Sequence, residues 1–572
     1  MIEIVTSSGI SLDLAPDAVF EVEFENPMMD SERIPVPFST SIDFLPTSKN
    51  CRVFGWFPAL PASPSEVSVK AEIRLCGVPF LTGTLEFEGV EDGNVQYSFS
   101  GADLSGSMEL KDIADYAPLK NATGTEFNAV LHGLEYCDKV QLPIIVNAAY
   151  EGKCIKEGVA IRDKYHNLLG VGAGVPYVIP AFRMHEILSN LFDGNIDMED
   201  FLGAENFTEF RYASILGLYK TDITDEKIGL YVSDGCYNLG VTLPKLTGAE
   251  FITNFCNLFC ASVFRTRDGY VLNHLGGILK DRDSRLDWSD KVADGFSLSF
   301  ESGMAYEFGY DNSDDENTLA SGVLAQKVDA GEILLAGSMA EMFEKSSNVK
   351  GWAAICVETS YTGVRDGRHV YSMDWHDTYG EYLISCIYRP LEKIDTTSDD
   401  DSDDSYDASV GFSLASCVPL NLQQAVVGSL SPLCRSAAVV KLPGVGTERG
   451  SEAWIVMTDR YRDYWSGIGD YFVTDNGTHF YDGINRDIID VDAADLRPRS
   501  MYDKYHTVFS EWLSRDRVVV SSDLHLSVSD LCNIDLSKQV YFRGKNWIIR
   551  KLTVSLGLQA GIVEASGEFI EC

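Results

Sequence analysis

The chain is short of positive charge. Against 86 Asp and Glu it has only 46 Lys and Arg in 572 residues, a formal net charge of −40. Binding a nucleic-acid backbone requires cations that displace condensed counterions, so a dedicated DNA- or RNA-binding role is disfavoured. An anionic membrane surface is disfavoured on the same ground. No stretch of about 18 apolar residues occurs, so no transmembrane helix or membrane anchor is expected. The opening MIEIVTSSGISLDL has neither a basic n-region nor an apolar h-region, and no secretory signal is expected there. The 13 cysteines are odd in number and scattered. The nearest to a motif, Cys256 and Cys260, are four positions apart rather than in CxxC, and read as buried free thiols of a protein made in a reducing cytoplasm.

The local signatures of catalysis are missing too. There is no GxxxxGK[ST] loop. Gly170, Gly172 and Gly174 form GVGAG, but the extended Val178-Ile179-Pro180 follows where a dinucleotide loop needs a helix N-terminus, so a flexible loop is expected. His185-Glu186 opens HEILS, with Ser189 at the place of the second zinc-binding His. His376 and His479 have no neighbouring ligand set. Asp311, Asp314 and Asp315, like the run Asp399 to Asp404, lack the spaced oxygens, central Gly and terminal Glu of a calcium loop, and read as solvated acidic loops. Ser413 in GFSLA lacks the second Gly of a nucleophile elbow. No catalytic, cofactor-binding or metal-ligating residue is therefore assigned, and a non-enzymatic protein without a cofactor is expected. The charge itself leaves two readings open: solubility, or an acidic wall that does not adsorb a passing polyanion.

What the sequence does have is aromatic and strand-like. The 29 Phe, 26 Tyr and 8 Trp suit pleated, half-buried surfaces. At this length roughly three to five domains of about 100–200 residues are expected. Residues 1–115 read as an antiparallel β-domain: Ala18 to Glu25 and Val67 to Leu75 alternate with period two, and Phe80 to Glu88 and Val95 to Ser100 follow. The turns fall at Cys76-Gly77 and Glu91 to Asn94. A Pro-rich extended loop, Pro35-Val36-Pro37-Phe38 and Phe44-Leu45-Pro46, interrupts this domain. Residues 116–310 read as an α+β domain. It has a helix over 180–192 opened by Pro180 and stopped by Gly194, and a second helix within 245–264 burying Phe251, Ile252, Phe255, Leu258 and Phe259. A hairpin around Arg267-Asp268-Gly269 follows. Residues 311–500 read as β-rich with a self-repelling acidic loop at 395–407. Residues 501–572 close with a β-hairpin, its strands at Gln539 to Phe542 and Trp547 to Ser555, and a last strand at Ile562 to Ile570. The fold class is mainly β with α+β character: several β-barrel or β-sandwich domains carrying small helical inserts.

Three segments carry a family resemblance. Leu286-Asp287-Trp288-Ser289-Asp290-Lys291 follows a helix and hairpin, and precedes Tyr306 and Phe308-Gly309-Tyr310-Asp311. Pro37-Phe38, Leu45-Pro46-Thr47, Asn50 and Phe54-Gly55 form a second pattern. Ile534 to Tyr541 before Trp547-Ile548-Ile549 form a third. In this order they resemble the tail-hub or baseplate-hub proteins of tailed bacteriophages that infect gut Bacteroidota. The resemblance implies a structural virion protein of the tail, assembled in the host cytoplasm. It implies a homo-oligomeric ring, a trimer, between tail tube and spike, through which the tape-measure protein and then DNA pass. On that reading Pro37, Phe38, Phe44, Leu45, Trp56, Asp287 and Trp288 are interface candidates, with core packing as the competing role of the large apolar ones. A distal tail or adaptor protein, a glycan-binding surface protein, and a hub bearing a cell-wall hydrolase activity within 311–500 are the alternatives.

Overall fold

The computed structural model describes residues 2–30, 38–54, 68–91, 93–101, 104–131, 136, 138–141, 145–147, 154–156, 159–162, 167–169, 177–204, 207–219, 221–222, 231–233, 236–266, 269–311, 334–336, 353–356, 370–376, 381–388, 393–396, 405–414, 416–419, 438–442, 448–459, 472–474, 496–558 and 561–572. They are mostly β, as the sequence leads one to expect, with one curled half-barrel sheet, several small sheets and a few short helices.

The large sheet has thirteen strands. They are β1 (Ile2–Thr6), β2 (Val19–Glu25), β3 (Phe38–Ser39), β4 (Ile42–Phe44), β5 (Val69–Leu75), β6 (Val78–Glu91), β7 (Asn94–Gly101), β8 (Leu286–Asp287), β9 (Val292–Glu301), β10 (Arg517–Leu524), β11 (Val540–Phe542), β12 (Lys545–Gly557) and β13 (Gly561–Glu571). Across the sheet the order is β1-β5-β6-β7-β3-β2-β12-β13-β10-β9, while β4 pairs with β7 and the β8–β11 pair joins β12. Three of the four segments expected from the sequence thus contribute hydrogen-bonded strands to one sheet. The seam is β2 against β12, where Val22 lies opposite Val554 and Phe24 opposite Leu552. The Asn26 amide reinforces it, donating to the Ile549 carbonyl at 2.8 Å and to that of Leu536 at 2.9 Å.

Alternation explains the sheet's two faces. In β2, Phe20, Val22 and Phe24 are buried, while Glu21, Glu23 and Glu25 point the other way. Two hairpins close on two-residue turns whose central residues are both left-handed: Cys76 (φ 52°) with Gly77 (φ 80°), and Arg543 (φ 51°) with Gly544 (φ 79°). That twist matches the twist of the flanking strands. Under the apolar face, helix α1 (Ser48–Phe54) brings Phe54 onto Tyr97, stacked at 4.3 Å, and edge-on to Phe44 at 5.4 Å.

The rest of the described chain forms an α+β body. Helix α2 (Met184–Leu191) is shorter than the pattern over 180–192 suggests, because Ala181–Arg183 is a fully buried strand. Phe182 pairs with Val140 on one side and Ile215 on the other, so Pro180 precedes a strand rather than opening a helix. Helix α3 (Gly248–Phe259) buries Phe251, Ile252, Phe255, Leu258 and Phe259, the stripe its sequence shows. A capping box of Thr247 and Glu250 starts it and a left-handed Cys260 ends it. Such a cap contributes about 1 kcal/mol. Helix α4 (Leu275–Lys280) follows the hairpin of Ala261–Arg265 and Tyr270–His274, whose two turn residues Arg267 and Asp268 lie outside the described residues. Helix α5 runs as Pro498–Met501, a π-type turn Tyr502–His506, and Thr507–Leu513.

Several polar groups buried inside this body are matched. The Tyr306 hydroxyl donates to His506 Nδ1 at 2.6 Å, and His506 Nε2 faces the Leu258 carbonyl at 3.3 Å. A carbonyl only accepts, so Nε2 carries the proton of a neutral ring. Burial pushes the His506 pKa down to about 3. Glu209, wholly buried, accepts from Lys504 Nζ at 2.6 Å and from the Tyr505 hydroxyl at 2.9 Å. Arg449 grips Asp112 through two bonds of 2.6 and 2.5 Å, and donates to the Leu243 and Pro244 carbonyls. Burial opposes the charge of Asp112, but Arg449 and the Ala114 amide outweigh it and hold the pKa below the usual carboxylate value.

Candidate functional site

Among the described residues the large sheet offers two candidate surfaces. The first is a charged face. Side chains of β1, β2, β5 and β6 that alternate with the buried ones include Glu3, Glu21, Glu23, Glu25, Glu72 and Glu86, against Lys70 and Arg74. Arg74 is held by Glu72 at 2.8 Å, and Glu23 takes Lys551 at 2.6 Å. The remainder is an exposed, net acidic wall.

The second surface is an edge. At one end of the sheet, β1 is covered by its own chain: Thr6 N–H donates to the Ile10 carbonyl at 2.9 Å, and Leu12 N–H to that of Ile4 at 2.8 Å. At the other end β9 pairs with β10 alone. The edge is uncovered among the described residues. From Phe296 to Glu301 it runs in unbroken antiparallel register, Phe296 opposite Ser522, Leu298 opposite Val520, Phe300 opposite Val518. Val520 belongs to the apolar core under the sheet, so Phe296, Leu298 and Phe300 carry the same face outward beyond it. They are 48%, 50% and 76% exposed. Edge strands are ordinarily blunted by Lys, Pro or a covering loop; Val292–Glu301 contains neither residue.

Local contacts set this edge. Ahead of Phe296 the register shifts, and the freed Ala293 and Asp294 carbonyls accept from Arg543 Nη2 at 2.9 and 2.8 Å. The Arg543 guanidinium then lies over the Phe296 ring at 4.3 Å. At the far end Glu301 accepts from Arg550 at 2.7 Å and Arg517 at 3.3 Å. The strand is thus fixed at both ends and open between.

The interface candidates read from the sequence fall in different places. Phe38 is 42% exposed in β3. Phe44 is wholly buried, and Leu45 packs half-buried against the same core. Trp288 is buried edge-on to Phe569 at 6.1 Å, while exposed Asp287 accepts from the Ser289 N–H at 3.0 Å. Pro37 and Trp56 lie outside the described residues, as do Gly170, Gly172, Gly174, His479, Asp314, Asp315 and positions 397–404 of the acidic run. The three segments that carry the family resemblance do converge: Phe44, Phe54, Trp288, Val540, Phe542 and Trp547 share one core. Their polar residues are staples. Buried Asn50 accepts from the Asp13 N–H and donates to the Asp13 and Leu45 carbonyls at 2.8 Å, and Thr47 donates to the Asp13 carboxylate at 2.8 Å. Lys291 pairs with Asp530, which starts a short helix at Val528–Cys532.

Elsewhere, burial pushes the Cys256 thiol up to about 12 and raises that of Cys260, so neither is a thiolate at neutral pH. His185 is held at about 4 by burial, helped by Arg183. A cleft of about 910 Å³ between the Ile196–Asp197 strand and residues 535–538 gathers Asp197, Asp200, Asp281 and Asp535 with Lys538. Burial, then Asp197 and Asp281, raises the Asp200 pKa. Among the described residues no three His, Cys, Asp or Glu side chains are grouped so as to hold a metal.

No family model and no curated protein matches the chain. Among solved structures, it is similar to the tail protein from Neisseria meningitidis MC58, at 7% identity and a TM-score of 0.27 over 100% of this chain and 96% of that one. It is also similar to the 43 kDa tail protein of prophage MuSo2 from Shewanella oneidensis, at 6% identity and a TM-score of 0.32 over 100% of this chain and 97% of that one.

Proposed function

We propose that this chain is a structural tail protein of a tailed phage, a hub whose copies join into a ring, three to the ring, between tail tube and spike. The carrying observation is β9, an uncovered strand with an exposed Phe-x-Leu-x-Phe face. A single chain has no use for such an edge, whereas an assembly protein covers it with the next subunit and satisfies both its main chain and its apolar face. The acidic wall supports the second half of the reading. Turned to a lumen, it repels DNA in transit and keeps passage free of adsorption. The role is scaffolding rather than catalysis. The virion tail is the location, and the hosts are those the sequence resemblance names, gut Bacteroidota.

One observation favours a different assembly. Phe296-Ser297-Leu298-Ser299-Phe300 is a palindrome. Two copies could pair antiparallel about Leu298, which would give a two-fold dimer instead of a ring. The mass of the purified chain by native mass spectrometry separates the two. A trimer supports the hub, a dimer or tetramer supports the two-fold pairing, and a monomer at every concentration and salt tested refutes an assembly role for β9.

A further inference from the structure

Helix α4 starts on a histidine. The half-buried His274 is its N-cap, and the Gly277 N–H donates to the ring's Nδ1 at 3.1 Å. The other ring nitrogen, Nε2, lies 2.7 Å from the Tyr505 carbonyl, in the π-type turn of α5. A carbonyl only accepts, so Nε2 carries the proton, and Nδ1, which accepts, carries none. One neutral ring thus starts one helix and ties it to another. The two helices lie close: a Cβ at Gly276 would meet Val508 Cβ at 3.2 Å and His274 Cε1 at 3.0 Å. Phe201, Phe207 and Tyr505 stand edge-on to the ring, at 6.0, 5.4 and 6.0 Å.

A protonated imidazole has two N–H groups and no acceptor. It can keep the Tyr505 carbonyl, but its Nδ1–H then meets the Gly277 N–H, donor against donor, and the cap is lost. The ring also borders the acidic cleft, where Asp197, Asp200, Asp281 and Asp535 outnumber Lys538. Lys280 stands on its own helix, and on the side of Tyr505 are His506 and the Glu209–Lys504 pair. Burial lowers the His274 pKa; the bond to the Tyr505 carbonyl opposes this and Lys280 adds to it. The stability of the neutral, capped form is therefore full above the ordinary value of about 6.5 and is lost as pH falls below it.

We propose that His274 is a proton-operated latch: neutral, it caps α4 and holds it on α5; protonated, it drops the Gly277 N–H and turns to the carboxylates of the cleft, releasing Leu275–Lys280. The proton comes from solvent, and only hydrogen bonds are broken. The latch is independent of the assembly reading, since no residue of β9 takes part in it.

The test is hydrogen exchange on the full chain, read by mass spectrometry from about pH 7 to about pH 5, the range in which histidine switches charge. Exchange at the imidazole carbon gives the protonation midpoint of His274. Amide exchange, normalised to the intrinsic rate at each pH, gives the protection of Leu275–Lys280. Losing an N-cap shifts a local equilibrium by about five-fold. Protection of Leu275–Lys280 should therefore fall about five-fold further than that of β12, with the midpoint of His274. His274→Asn, whose side-chain oxygen caps without titrating, should hold its protection across the range. Should that variant fail to fold, the coincidence of the two midpoints in the wild-type chain decides. Protection that does not fall, that falls at a midpoint away from that of His274, or that falls equally in a folded His274→Asn chain overturns the proposal.

Discussion

Replacing Leu298 and Phe300 together by Lys separates folding from assembly. In the single chain Phe300 keeps only about a quarter of its surface covered and Leu298 about half. Full burial of such a side chain is worth about 1.5–3 kcal/mol, so the pair contributes at most about 2 kcal/mol to the isolated fold. Covering what remains exposed is worth about 3 kcal/mol per edge, before the cost of association is counted. At about 1.4 kcal/mol per factor of ten, losing that term weakens assembly by more than 100-fold. Lysine on the free edge adds charge where a neighbouring strand would lie. The assay is sedimentation velocity on wild type and L298K/F300K over a dilution series, with thermal melts of both. The expected result is assembled wild type and monomeric variant, with melting points a few degrees apart. A variant that assembles at the same concentration as wild type refutes the assignment of β9 as the joining strand.

Three further outcomes test the packing described above. Asn50→Ala removes three hydrogen bonds from a wholly buried amide and should cost roughly 2–3 kcal/mol by chemical denaturation; a loss below about 0.5 kcal/mol would show that the loop before α1 is not stapled there. Burial holds His506 at about 3 and His185 at about 4, below the unfolded value of about 6.5. Below that pH the unfolded chain binds protons that the folded chain refuses. Stability is therefore full above it and falls as pH drops, by about 2 kcal/mol per histidine at pH 5; comparing pH 7 with pH 5, His506→Gln should lose one histidine's share of the fall. Glu209→Ala strands Lys504 beside a buried site and should destabilise by roughly 3 kcal/mol, whereas an unchanged denaturation midpoint would deny the pair a structural role.

What the sequence discloses depends on how local the cause is. The alternation of Phe20, Val22 and Phe24 with Glu21, Glu23 and Glu25 marks a half-buried strand without any partner in view. The stripe from Phe251 to Phe259 likewise marks one face of α3. The turn at Cys76-Gly77 is written in its own residues. By contrast, Asn26 reaches Ile549 across 523 positions, and no period or motif encodes that pairing. The edge shows the same limit. Phe-Ser-Leu-Ser-Phe reads as a strand, but whether its apolar side is covered is decided by β10, more than two hundred residues further on. Pro180 misleads for the opposite reason: its local fit to a helix start is overridden by strands on both sides.

The seam between β2 and β12 also sets a clock. A ribosome adding about 5–20 residues per second needs roughly half a minute to two minutes between making the two strands. Until β12 emerges, the Phe20, Val22 and Phe24 face of β2 has no neighbour to pair with and must be shielded by other means. The edge strand waits as well, because β9 is made before β10 and has no sheet to extend until β10 arrives. A nascent or truncated chain therefore presents no finished edge to its sisters. On the proposed assembly through β9, coupling the last strands to the first in this way lets only completed subunits join, a form of proofreading by topology.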